Sequence, residues 1–193
     1  MNNIFIEEIR HQVKKALKND KKRYRHSLGV ANTAACLAMR YNIDMERAYL
    51  AGLLHDCAKC EEDAIMIKVC EDRNIPVSDI ERENPYLLHA KVGAVYAKEI
   101  YNINDDEIIS AIACHTTGKA DMTMLEMVIF TADYIEPYRD KAANLDRIRN
   151  EAFKNINIAV TSILKDTLDY LKKSNKSIDE STQITYEFYK NML

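Results

Sequence analysis

The sequence predicts an all-α protein, and three observations carry that prediction. Only four Gly and three Pro occur in 193 residues, so the breakers that punctuate strand-rich folds are scarce. Alanine, leucine, isoleucine, lysine and glutamate are abundant, which is largely helical material. Apolar residues also recur three and four apart, with no strand alternation, internal repeat or low-complexity linker.

The elements follow in chain order. Ile6, Ile9, Val13, Ala16 and Leu17 form a first stripe, and Tyr24, Leu28, Ala31, Ala35 and Ala38 a second. Asp44 is an N-cap for a helix that runs into His55-Asp56. Residues near 61–73 make another helix, and Pro76 interrupts. Pro85 precedes a helix carrying His89, Val92, Val95, Tyr96 and Ile100. Asn104 with Glu107 is expected to cap the helix ending near His115, and Gly118 to stop it. Thr123 with Glu126 is a capping-box pattern opening the helix to Asp133, which Pro137 limits. Further helices are expected near 144–153 and 157–173, and Ser177 with Glu180 is expected to cap the last one.

At this length the chain fits one domain, residues 1–193, with residues from about 144 onward as a C-terminal helical extension. Neither a P-loop nor a dinucleotide fingerprint can be drawn from Gly29, Gly52, Gly93 and Gly118, so any phosphate chemistry must use metals and side chains. A net charge of −3 argues against strong polyanion binding. The basic run Lys14, Lys15, Lys18, Lys21, Lys22, Arg23 and Arg25 lacks aromatic interleaving and reads as a solvated face, so no nucleic-acid partner is expected. No signal peptide and no apolar run of about 20 residues is present. Five cysteines then fit a reducing cytoplasm without a membrane partner. Cys57-Ala58-Lys59-Cys60 is a lone C-x-x-C with no βαβ pattern around it, and we read it as structural filler.

His55-Asp56 closes an apolar helical stretch, and adjacent helical side chains about 100° apart can close on one ion. His26, His89, His115 and Asp133 lie in similarly apolar settings, each on a separate helix or at its end. His11, between Arg10 and Gln12, is the surface contrast. Any one such histidine is usually a core residue with a single hydrogen bond. Burying four imidazoles and two carboxylates without a shared purpose, however, costs on the order of a few kcal/mol per unpaired group. One shared cation removes that cost, and mixed imidazole and carboxylate sets suit a divalent transition metal.

The order His26, His55-Asp56, Asp133 resembles the HD-domain metal-dependent phosphohydrolases. The words Arg23-Tyr24-Arg25-His26-Ser27-Leu28-Gly29-Val30, His55-Asp56-Cys57-Ala58-Lys59, His115-Thr116-Thr117-Gly118 and Ala132-Asp133-Tyr134-Ile135-Glu136-Pro137-Tyr138-Arg139 resemble the YqeK type. That branch comprises bacterial symmetrical dinucleoside-tetraphosphate hydrolases. The likeness covers roughly residues 20–140 well. It implies an HD-domain helical bundle with two divalent metals, iron by expectation and manganese, cobalt or zinc as alternatives. His26, His55, Asp56 and Asp133 would hold the first ion, and His89 and His115 the second, with Asp56 bridging.

The reaction implied is cleavage of diadenosine tetraphosphate to two ADP, with Asp56, His55 and Lys59 as the catalytic set. Arg23, Lys59, Thr116, Thr117, Gly118 and Arg139 are the substrate candidates. Their bland readings are a solvent-facing lysine, arginines paired with nearby carboxylates, and simple helix capping. Lys59 is placed by spacing on the His55 face, one helical turn on. The rivals are another HD phosphohydrolase, such as a nucleotidase or phosphodiesterase, and a non-catalytic metal and nucleotide-binding module. The expected partner is a dinucleoside polyphosphate substrate; a homodimer is left open.

Overall fold

The computed structural model describes residues 3–193. Its helices are α1 (Asn3–Ala16), α2 (Lys21–Tyr41), α3 (Met45–Leu54), α4 (Asp63–Asp72), α5 (Asp79–Glu83), α6 (His89–Glu99), α7 (Asp106–Cys114), α8 (Met124–Ile135), α9 (Leu145–Lys154), α10 (Ile156–Lys173) and α11 (Glu180–Lys190). A 3-10 turn, Pro85–Leu88, leads into α6, and no strand occurs among the described residues.

Local chemistry sets the boundaries. The Asp44 carboxylate accepts from the amides of Glu46 and Arg47, and Thr123 and Glu126 close the expected reciprocal box at the start of α8. Two caps differ from the sequence reading. Asp105, not Asn104, accepts from Glu107 and Ile108, and Asp179, not Ser177, caps α11. In each case a carboxylate directly before the first turn supplies a stronger acceptor for the orphan amides than the neighbour expected. Helix α5, opened by a Ser78–Glu81 box, was not anticipated because five residues give no periodicity.

Core packing joins the front and back of the chain. Val13, Leu37, Leu50, Ile112 and Ile129 share one buried cluster with Ile148, Ile163 and Tyr189 from the C-terminal helices. In the first stripe Ile9, Val13 and Leu17 are buried, whereas Ala16 faces solvent. A Cβ at Gly52 would stand 2.9 Å from the Ala31 Cα, so α2 and α3 lie backbone against backbone and bring His26 beside His55. A smaller cluster of Ala58, Met66, Cys70, Leu88 and Val92 fixes the turn after His55 against α6.

Helix α9 also grips the site's far edge. Arg149 donates to the carbonyls of Ile135 at 3.0 Å and Glu136 at 3.1 Å, and to that of Arg139 at 3.3 Å. These bonds satisfy carbonyls at and beyond the end of α8 and fix the segment that carries Glu136 and Arg139.

Candidate metal centre

Four helix ends and the second turn of α2 meet at one place. His26 lies one turn into α2, and His55 ends α3 with Asp56 in the turn beyond. His89 opens α6, His115 ends α7, and Asp133 sits in the last turn of α8. The His55-Asp56 pair is thus at the helix exit rather than within the helix, and the turn aims both side chains inward.

The imidazoles are oriented by a common device. His55 Nδ1 lies 2.7 Å from the Gly52 carbonyl, His89 Nδ1 2.7 Å from that of Tyr86, and His115 Nδ1 2.7 Å from that of Ile112. His26 Nδ1 lies 3.0 Å from Glu136 Oε1. A carbonyl or carboxylate only accepts, so each Nδ1 carries the proton and each Nε2 turns its lone pair inward. That is the outer-shell arrangement typical of metal-ligating histidines.

Asp56 lies between the two pairs. Its Oδ2 is 3.3 Å from His55 Nε2 and 3.7 Å from His26 Nε2. Its Oδ1 is 3.3 Å from His89 Nε2 and 3.7 Å from His115 Nε2. Asp133 Oδ1 joins the first side, 3.0 Å from His26 Nε2 and 3.8 Å from His55 Nε2. Donors that share an ion at about 2.1 Å from it stand roughly 3.0 to 3.4 Å apart. The donors of His26, His55 and Asp56 lie within 4.8 Å of one another, as do those of Asp56, His89 and His115 and those of His55, His115 and Asp133, so each set needs a small inward shift to share an ion.

The donors also leave lone pairs that a cation would satisfy. The Nε2 atoms of His26 and His55 are buried and make no hydrogen bond, and those of His89 and His115 face each other at 3.3 Å with two lone pairs between them. Burial opposes a charge on His26, yet Asp133, Glu136 and Asp56 outweigh it and push its pKa up. Burial would likewise raise the carboxyls, but His55 and His115 hold Asp56 well below the usual range. His26 and Arg139 do the same for Asp133. His89 is pushed down to about 3 by burial, then by His115 and Lys59. Imidazoles around an ionised carboxylate, with a proton on His26 that a cation would displace, are a metal-ready donor set.

The substrate candidates divide. Lys59 Nζ is 3.1 Å from both ring nitrogens of His89, with its pKa lowered first by burial. It arrives not on the His55 helix, which ends at Leu54, but through consecutive turns from Leu54 to Lys59. Arg23 Nη1 donates to Asp56 Oδ2 at 2.5 Å, and Arg139 Nη2 to Asp133 Oδ1 at 2.6 Å, so both arginines border the centre. Thr116 and Thr117 are half-buried after His115. Gly118, at φ +65°, spends its amide on the Cys114 carbonyl and abuts Thr185, so it is placed as a turn residue with no free donor. His11 and Cys60 are exposed and Cys57 is buried, so the C-x-x-C thiols face different surroundings.

Glu136 was missed. Its second oxygen accepts from the Tyr138 amide at 2.7 Å, and it is 1% exposed. A Cβ at Gly29 would stand 2.3 Å from it. The available signal was a pair of i, i+3 spacings, Gly29 after His26 and Glu136 after Asp133.

Comparison with known proteins agrees with this geometry. The HD domain family matches residues 23–138. The symmetrical bis(5'-nucleosyl)-tetraphosphatase of Halalkalibacterium halodurans is 38% identical over 85% of this chain and 87% of its own. That of Bacillus subtilis is 37% identical over 86% and 88%. A crystal structure described as a predicted HD superfamily hydrolase involved in NAD metabolism, from Clostridium acetobutylicum, superposes with a TM-score of 0.90 at 34% identity. It covers 95% of this chain and 97% of its own. Histidines from separate helices converging on one aspartate therefore have a family context: the chain belongs to the HD-domain family, alongside the symmetrical bis(5'-nucleosyl)-tetraphosphatases.

Proposed function

We propose that this protein is a metal-dependent hydrolase that cleaves diadenosine tetraphosphate symmetrically into two ADP. One observation carries the reading: the two Asp56 oxygens face two separate histidine pairs, which is the arrangement of a carboxylate shared by two ions. The names of the relatives supply the substrate class. His26, His55, Asp56 and Asp133 would hold one ion, and Asp56, His89 and His115 the other. Iron is our expectation for the metal, with manganese, cobalt or zinc as alternatives. Divalent ions at such a centre neutralise phosphoryl oxygens and acidify water.

The chain's own groups do the rest. The Nδ1 bonds hold each imidazole in one tautomer and orientation, so the donors stay in register during turnover. Lys59, beside His89, offers an ammonium to a phosphate oxygen and cannot itself serve as a ligand. Arg23 and Arg139 flank the centre from α2 and from the segment after α8, and each can fork onto a phosphate when released from its carboxylate. The Thr116 and Thr117 hydroxyls are proposed to meet phosphate oxygens near His115. Gly118 supports their turn. The leaving ADP is a stabilised anion, so cationic neutralisation suffices without a strong general acid.

No helix among the described residues is long and apolar enough to cross a membrane. All five cysteines are free, which suits the cytoplasmic setting we assign. The test is product analysis on metal-loaded protein with a panel of dinucleoside polyphosphates, nucleoside monophosphates and simple diesters. ADP as the sole nucleotide from diadenosine tetraphosphate, with weak activity on AMP and diesters, is the expected result. AMP with ATP contradicts it, preferential monophosphate turnover makes the protein a nucleotidase, and binding without turnover makes it a non-catalytic module.

A further inference from the structure

The end of α8 is closed by two guanidinium groups as well as by backbone amides. Pro137 has no N–H to return to the Asp133 carbonyl four residues back, and Arg139 Nε donates there instead, at 3.0 Å. The Arg139 amide turns to the Glu136 carbonyl at 3.1 Å, which leaves the Ile135 carbonyl without its helical donor. Arg149 Nε fills that place at 3.0 Å. Arg149 Nη2 reaches on to the Glu136 and Arg139 carbonyls, at 3.1 and 3.3 Å.

This places a cation at the C-terminal end of α8, where the helix dipole favours one. The ion-pair contact of Arg149, with Asp146 at 3.7 Å, involves a fully exposed carboxylate, so its charge is mostly left for the α8 carbonyls. Groups that border the metal centre hang on the segment so held. The Glu136 carboxylate lies 3.0 Å from His26 Nδ1, and Arg139 Nη2 lies 2.6 Å from Asp133 Oδ1. The HD family match ends at residue 138, so this guanidinium comes from outside the matched part.

We infer that Arg149 is a positioning residue for the metal centre. By bonding the carbonyls of Ile135, Glu136 and Arg139 it fixes where the Glu136 carboxylate meets His26 and where Arg139 meets Asp133. Metal affinity and the hold on a phosphate chain then depend on α9, a helix that contributes no ligand. This role presupposes that His26 and Asp133 hold one ion, as proposed above, and is independent of which phosphorus is attacked. A lysine at the same place keeps the charge, but its single nitrogen lacks the planar fork that spans several carbonyls.

The experiment measures metal Kd by chelator competition, and kcat and KM for diadenosine tetraphosphate at saturating metal. It compares wild type, Arg149→Met, Arg149→Lys, Arg147→Met and Ile148→Val. Loss of an outer-shell partner costs roughly 10–100-fold in metal affinity, and Arg149 acts one contact further out, so the low end applies. Arg149→Met is therefore expected to raise the metal Kd about tenfold and KM severalfold, with kcat at saturating metal little changed. Arg149→Lys should fall between it and wild type. Two neighbours on α9 separate positioning from stability. Arg147 pairs with Glu151 and Asp166, and the Ile148 side chain is buried in the core, so both variants should keep the wild-type metal Kd. A metal Kd within twofold of wild type in Arg149→Met overturns the inference, as does an equal rise in Ile148→Val, which would mark a general loosening of α9. A wild type that binds no divalent metal refutes the centre and this role with it. Release of AMP and ATP refutes the proposed reaction alone, and the Kd comparison still decides Arg149.

Discussion

Substituting Gly29 by alanine should weaken metal binding without unfolding the protein. The new Cβ would lie 2.3 Å from Glu136 Oε2 and 3.1 Å from both Glu136 Cδ and Tyr138 Cδ2. Ordinary contact is restored only if the carboxylate retreats by about 1 Å. A retreat of that size takes Oε1 out of hydrogen-bond range of His26 Nδ1, now 3.0 Å away. His26 then loses the partner that fixes its tautomer and aim, and loss of such an outer-shell contact typically costs 10–100-fold in metal affinity. The helix itself gains, since alanine is better than glycine in a helix interior by about 0.5–1 kcal/mol. The expected result is a metal Kd raised about 10–100-fold by chelator competition, with an undiminished helical circular-dichroism signal. Glu136→Gln, which keeps the shape and loses the charge, should fall between wild type and Gly29→Ala. A Gly29→Ala protein that holds its metal within twofold of wild type would refute the orienting role of Glu136.

Asp56→Ala should lose both ions and reduce turnover by on the order of 10³-fold or more, beyond the roughly 10–100-fold of an outer-shell residue; full occupancy measured by elemental analysis would count against a shared carboxylate. Lys59→Ala should lower kcat/KM for the tetraphosphate by about tenfold or more with metal content intact, because a charge-assisted contact to phosphate is lost; steady-state kinetics with metal analysis on one sample checks this. Glu126 gives a pH prediction. Burial pushes its carboxyl up, but Lys119, Ser110 and the Thr123 amide outweigh burial and hold it below its ordinary value of 4.5. A carboxyl held lower in the folded state stabilises above its unfolded pKa, and that contribution fades as pH falls through the folded value. Urea midpoints should therefore drop less below about pH 4.5 in Glu126→Gln than in wild type, and parallel acid limbs would exclude the effect.

The helical fold was legible because period-3.6 apolar stripes and side-chain caps are local signals. Val13, Leu17, Asp44 and the Thr123–Glu126 box act within one turn of where they stand in sequence. The His26, His55-Asp56, His89, His115 and Asp133 set was legible as an unusual sum of polar groups in apolar settings. Three things were less accessible. The choice of Asp105 over Asn104 turns on a one-residue difference in where the backbone leaves the helix. The placement of Lys59 depends on the chain turning after Leu54, where a helical projection carried it straight on. The Glu136–Gly29 fit is a long-range contact that exists only once α2 and the end of α8 have packed.

The central claim is that Asp56 joins two ion sites and that both serve one symmetric cleavage. Stepwise addition of metal to metal-depleted protein, with turnover of diadenosine tetraphosphate followed at each step, tests it most directly. Wild type should bind two equivalents per chain, gain most of its activity with the second, and yield ADP alone. His89→Ala should bind one equivalent, remain folded and stay nearly inactive. Full activity at one equivalent in wild type, or an active His89→Ala protein, would contradict the account.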